Sequence, residues 1–234
     1  MSLKLIIGNK NYSSWSLRPW IAMKVADIAF DEQVIPLYEP GSREQVLKYS
    51  PAGKVPVLVD GDMAVWESLA ILEYLAEKCP KAGLWPSDMR ARSHARVVSN
   101  EMHGGFQALR KACPMNTWLP PKARPQADDV MENVWHIDAL WRDCRKRFGQ
   151  GGAFLFGAFG AADAMYAPVV SRLHTYGMQV STEAQAYMDA VMALPAWREW
   201  HDAALREPWV MQHNEPDWPL VRGVKITTAA RSNW

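Results

Sequence analysis

Three short stretches carry side chains whose types and spacing could do chemistry. In "NYSSWSLRPW" two hydroxyls, Ser13 and Ser14, stand just before an apolar run with helical spacing. Hydroxyls in that place ordinarily cap the helix. They can also donate to an anion at the helix start, where unpaired amides and the helix dipole favour negative charge. A thiol has an ordinary pKa of about 8.5 and is mostly protonated at neutral pH. Set beside such a helix start, its thiolate is favoured and its nucleophilicity rises. The second stretch is "GKVPVLVDGD", where Val55 precedes Pro56 at the head of a short strand. An X–Pro bond adopts the cis form at modest cost. A cis Val55–Pro56 bond would leave the N–H and C=O of Val55 as a free edge, to which a peptide ligand could add as one more antiparallel segment. The plainer reading is a proline at an ordinary strand start. The third stretch is "VWESLAILEYL". Ser68 opens a helix whose first amides form an anion site, and Glu67 beside it supplies a negative charge, so the pair suits a zwitterion with one amine and one carboxylate. A simple capped helix start is the plainer alternative.

These stretches need elements to hold them. Leu3 to Gly8 reads as a strand closed by Gly-Asn. Leu17, Ile21, Val25 and Ile28 follow a helical period, and the helix starts between Ser14 and Leu17, with Pro19 expected in its first turn. Phe30 to Leu37 is a second strand, and Gly41 to Tyr49 is polar with one helical turn. Val55 to Val59 and Met63 to Trp66 pair around Asp60-Gly61, a strong hairpin turn. Ser68 to Lys78 is a helix with Leu69, Leu72, Leu75 and Ala76 on one face. A strand–helix–strand unit followed by a hairpin and a helix makes a mixed four-stranded sheet. After Pro80, Gly83 and Pro86 the patterns are helical throughout: Arg92 to Arg110 with Gly104-Gly105 weakening its middle, Ala127 to Phe148, Ala162 to His174 bent by Pro168, Thr182 to Ala193, and Ala196 to Leu205.

Composition narrows the partners. The formal net charge of the 234-residue chain is +1, which argues against nucleic acid, since phosphate binding needs a dense basic face. Three cysteines, Cys79, Cys113 and Cys144, suit neither a disulfide framework nor a zinc site, and a reducing, cytoplasmic setting is the simpler expectation. No apolar run is long enough for a membrane span, and no histidine has metal-ligand spacing.

The order of "YSSWSLR", "GKVPVL" and "ESLAILEYL", followed by an all-helical second half, resembles the cytosolic glutathione S-transferase family, in its serine-type branch near the zeta and tau classes. The likeness covers roughly Leu3 to Val210, and "FLFGAFGAADAMYAP" resembles the family's buried turn and helix start, with Asp163 as its acidic anchor. The resemblance implies an N-terminal thioredoxin-like α/β domain (residues 1–79), a linker (80–90), an all-helical domain with the electrophile pocket (91–215) and a tail (216–234). It implies a glutathione transferase that activates the glutathione thiolate for attack on a small electrophile, apolar or aromatic, with glutathione as co-substrate, no metal, and a homodimer in the cytoplasm.

Residue by residue, the resemblance makes Ser13 the catalytic serine, five residues before Arg18, with Ser14 as the alternative. Lys54 would meet the glycine carboxylate of glutathione, Val55 would pair with its cysteinyl backbone beside Pro56, and Glu67 and Ser68 would grip its γ-glutamyl end. Met102, Phe106 and Arg110 would line the electrophile pocket, although core packing suits Met102 and Phe106 as well. Tyr12 reads as a packing residue. Two departures stand out. Trp15 replaces the cysteine of the zeta "SSC" pattern, which argues against maleylacetoacetate isomerisation and thiol exchange by a protein cysteine. Gly160 replaces the Ser or Thr three residues before Asp163, leaving half a capping box. The alternatives within the same resemblance are a glutathione-dependent isomerase or dehalogenase, and a non-catalytic binder of glutathione or apolar ligands.

Overall fold

The structure is a computed structural model that describes residues 2–215. The tail expected at 216–234 lies outside the described residues. In chain order the elements are β1 (Leu3–Ile7), α1 (Ser14–Val25), β2 (Phe30–Val34), α2 (Ser42–Leu47), β3 (Val57–Asp60), β4 (Met63–Trp66) and α3 (Ser68–Lys78). Then come α4 (Met89–Gly104), α5 (Gln107–Ala112), α6 (Asp128–Phe148), α7 (Ala161–Thr175), α8 (Thr182–Met192) and α9 (Pro195–Arg206). The sheet order is β2-β1-β3-β4, with β1 parallel to β2 and the other pairs antiparallel. This is a thioredoxin-like half followed by a helical half.

β1 is apolar apart from Lys4 because both faces of the sheet are covered. Leu5 and Ile7 point to the side of α1 and α3, whereas Ile6 points to the other side and packs with Ile35, Val46 and Val57. Successive strand residues face opposite ways, so the run feeds two cores at once. α1 has no polar face in the usual sense: it is buried from Ser16 to Met23, between the sheet and α7. A helix enclosed on all sides carries no hydrophobic stripe.

Four elements differ from their expected form. β3 begins at Val57, not Val55, after the cis bond into Pro56. The helix α1 starts at Ser14, which puts Pro19 in the second turn rather than the first. β2 ends at Val34, before Pro36, which cannot donate to a ladder. The single helix expected from Arg92 to Arg110 is two helices. Gly105 is extended (ψ −171°), and Phe106 takes a left-handed conformation (φ 60°) that breaks the ladder between α4 and α5. Arg110 then folds back and donates to the carbonyls of Gly105 at 2.9 Å and of Met102, capping the end of α4. Among the described residues no helix is long and apolar enough to cross a membrane.

Candidate functional site

The start of α1 is held by groups from both halves of the chain. Ser13 is the N-cap: its hydroxyl accepts from the Ser16 N–H at 3.4 Å and donates to the Ser16 hydroxyl at 2.7 Å. Ser16 in turn accepts from the Gly8 N–H at 3.0 Å, which ties the cap to the end of β1. The Ser14 hydroxyl instead accepts from Nη2 of Arg172 on α7, at 3.3 Å. Upstream, both carboxylate oxygens of Glu207 are occupied, by the N–H of Lys10 at 2.7 Å and of Asn11 at 2.9 Å. Burial raises the Glu207 pKa, and those two N–H groups oppose the rise. The Asn11 side chain accepts from the Thr117 N–H at 2.7 Å. Tyr12 is a packing residue: its ring meets Trp118 edge-on at 5.6 Å, and its hydroxyl donates to Glu215.

The start of α3 is open. Glu67 sits at φ 69°, ψ 124°, a conformation that costs a side-chain-bearing residue energy and recurs at ligand clamps. Its carboxylate does not cap the helix, so the amides of Ser68, Leu69 and Ala70 have no acceptor from the cap residue. Ser68 is wholly buried and accepts from Nη1 of Arg18 at 3.4 Å. Arg18 of α1 therefore spans the N-terminal ends of both helices. Beside them, the bond into Pro56 is cis, and the first laddered residue of β3 is Val57. Among the described residues the N–H and C=O of Val55 make no hydrogen bond. Lys54 is exposed on the loop before it.

The residues expected to wall an electrophile pocket divide. Met102 and Phe106 are packed in the core at 1% and 8% exposure. The helical period predicts one shared face, but the break at Gly105 leaves Met102 on α4 and Phe106 as the left-handed residue before α5, each packed inward. Arg110 does reach the site: its guanidinium lies 4.9 Å from the Trp15 ring centroid, with Arg18 over the same ring at 4.2 Å. His103, at the end of α4, meets Trp15 edge-on at 5.2 Å and approaches the Glu67 carboxylate at 3.7 Å. Burial lowers the His103 pKa, Arg18 adds to this, and Glu67 opposes it. Arg172, Glu207 and His103 are functional candidates that spacing alone missed. Among the described residues no three His, Cys, Asp or Glu side chains gather as a metal-ligating group.

Asp163 anchors α7 in the half of the capping box that Gly160 leaves. Its two oxygens accept from the N–H of Leu155 at 3.0 Å and of Gly160 at 2.9 Å. Burial pushes its pKa up to about 6 against these two bonds. Gly160 has a reason of its own: a Cβ there would lie 2.8 Å from the Leu84 carbonyl oxygen.

The model of the glutathione S-transferase N-terminal domain matches residues 12–78, and that of the glutathione S-transferase C-terminal domain matches residues 126–203. A probable maleylacetoacetate isomerase of Caenorhabditis elegans is 35% identical over 97 residues, 42% of this chain and 45% of that protein. Glutathione S-transferase 1 of Dianthus caryophyllus is 28% identical over 185 residues, 76% of this chain and 81% of that protein. A glutathione transferase homologue from Burkholderia, solved with bound glutathione, superposes with a TM-score of 0.64 at 20% identity, over 87% of this chain and 98% of that one.

Proposed function

Since the chain belongs to the glutathione S-transferase family, we propose that it binds glutathione across the starts of α1 and α3 and transfers it to a small electrophile. The γ-glutamyl carboxylate lies on the free amides of α3 with the Ser68 hydroxyl, and its amine faces Glu67. The cysteinyl backbone pairs with the N–H and C=O of Val55 as an added strand. The glycyl carboxylate runs toward Lys54. The sulfur then lies at the start of α1, where Ser13 or Ser14 donates to the thiolate and the helix dipole favours its charge.

The observation that carries this reading is the meeting of the two helix starts: Arg18 of α1 reaches Ser68 of α3 at 3.4 Å, next to a Val55 edge with no backbone partner. Catalysis is thiolate stabilisation and proximity. The sulfur forms a bond to the electrophilic carbon and the leaving group departs with its electron pair. We place the protein in the cytoplasm as a homodimer. Met63 and Trp66 on β4, and Met89 and Val97 on α4, are exposed apolar residues available to such a contact.

The likeness to a probable maleylacetoacetate isomerase favours glutathione-dependent isomerisation as a second reading. Trp15, in the position of the zeta cysteine, weighs against it. An assay of glutathione conjugation to a chlorodinitrobenzene tests the main reading: turnover above the spontaneous rate is expected. Absence of turnover with every electrophile, alongside tight binding of an apolar dye, would assign the fold to ligand storage instead.

A further inference from the structure

Three guanidinium groups crowd the inner end of the site, and no carboxylate of the described residues pairs with any of them. Arg172 donates to the carbonyls of Cys113 at 2.8 Å and Pro168 at 3.4 Å, and to Ser14. Arg110 donates to the carbonyls of Met102, His103 and Gly105. Arg18, wholly buried, has the Ser68 hydroxyl at 3.4 Å, while its Nε and Nη2 find no acceptor. All three acceptor sets are neutral. Burial lowers the pKa of each group, Arg172 to about 10, and the arginines repel one another: Arg110 and Arg172 act on Arg18, and Arg110 on Arg172. Glu67 faces His103 at 3.7 Å. Buried cations without counter-charges are costly, and a fold retains them where a bound anion offsets that cost.

Glutathione, bound as proposed above, does not supply enough negative charge. Its γ-glutamyl carboxylate and amine are matched by the start of α3 and Glu67, and its glycyl carboxylate runs to Lys54. One thiolate remains for three guanidinium groups. Arg110 and Arg172 come from α5 and α7 of the helical half, on the side where the second substrate must approach the sulfur.

We propose that Arg110 and Arg172, with Arg18 behind them under Trp15, form a binding site for a carboxylate on the second substrate, so that the enzyme prefers an anionic electrophile. This rests on the glutathione transferase reading and names its substrate class. Trp15 is partly exposed and provides an aromatic face over Arg18 for the body of that substrate. The bond changes are those of conjugation: sulfur bonds to carbon and chloride leaves with its electron pair.

Two measurements test it. Conjugation of a chloronitrobenzoate is compared with that of a chlorodinitrobenzene, each relative to its spontaneous reaction with glutathione. The catalysed enhancement is expected to be about tenfold or more greater for the benzoate, and Arg110→Gln or Arg172→Gln should remove most of that ratio. In parallel, benzoate is titrated calorimetrically into the unaltered protein, with and without glutathione, and saturable binding weakened about tenfold by Arg110→Gln is expected. Equal enhancement for the two electrophiles, or no heat from benzoate in the unaltered protein, overturns the proposal. So does a result in which Arg18→Gln and Arg110→Gln weaken glutathione alone, since the arginines would then serve that tripeptide. Failure of glutathione itself to bind would instead remove the proposed function, and the benzoate titration made without glutathione would still report on the arginines.

Discussion

Ser13 and Ser14 are adjacent in sequence, yet they answer to different parts of the molecule. Ser13 is tied through Ser16 to β1, and Ser14 is tied through Arg172 to α7. Replacement of the serine that faces the sulfur removes one donor aimed at a developing thiolate. The expected loss is about a hundredfold in kcat/KM, with glutathione affinity kept within a fewfold. Ser13→Ala and Ser14→Ala measured side by side identify that serine. If neither variant loses activity, thiolate stabilisation does not come from this helix start. The protein's own thiols stand apart from this chemistry. Burial pushes Cys113 up to about 11 and Cys144 up to about 12, while Cys79 is partly exposed. The thiolate is the reactive form. A thiol-specific reagent at neutral pH should therefore label Cys79 of the native protein quickly and reach the other two on unfolding. Fast native labelling at Cys113 or Cys144 would contradict the packing described here.

At the scale of elements, α7 depends on Asp163, which replaces the missing cap side chain at Gly160. Asp163→Ala leaves the N–H groups of Leu155 and Gly160 without their acceptor in the core, and a loss of about 2–4 kcal/mol in denaturant unfolding is expected. The same group fixes a pH dependence. Its folded pKa, about 6, lies above the ordinary 3.8, so between those values the native state binds more protons than the unfolded state. Its contribution to stability therefore falls as pH rises through that window. The stability difference between the protein and Asp163→Asn should move in favour of the parent as pH is lowered from about 6 to about 4. A difference that stays flat would show that the carboxylate does not titrate there.

The elements also show which parts of the site can be read from sequence. Val55-Pro56, Glu67-Ser68 and Ser13-Ser14 each lie within one local stretch, where turn chemistry and helix starts leave marks in the residues. Arg172 reaches Ser14 across 158 positions and Glu207 reaches Asn11 across 196, with no period to announce either contact. Periodicity predicts one helical face for Met102 and Phe106, but the break at Gly105-Phe106 divides them between α4 and the turn before α5. An arginine mid-pattern, Arg110, caps the helix before it.

For the whole molecule, the two halves share a continuous apolar core that runs from Leu5 and Ile7 of the sheet through α1 to Met165 and Val169 of α7. The site proposed across that seam needs both halves present, and a family model matches on each side of it. The proposed homodimer gives a mass by light scattering of twice the 26.5 kDa chain, and a mass equal to one chain would remove it. The central claim is that the folded chain turns a tripeptide thiol into a thiolate at the start of α1. Its most direct test is the ultraviolet titration of the glutathione thiolate in the complex. The thiol pKa is expected to fall clearly below its ordinary value of about 8.5, and to return toward it when the serine that faces the sulfur is replaced by alanine. A bound glutathione whose thiol titrates as it does in water would contradict the account.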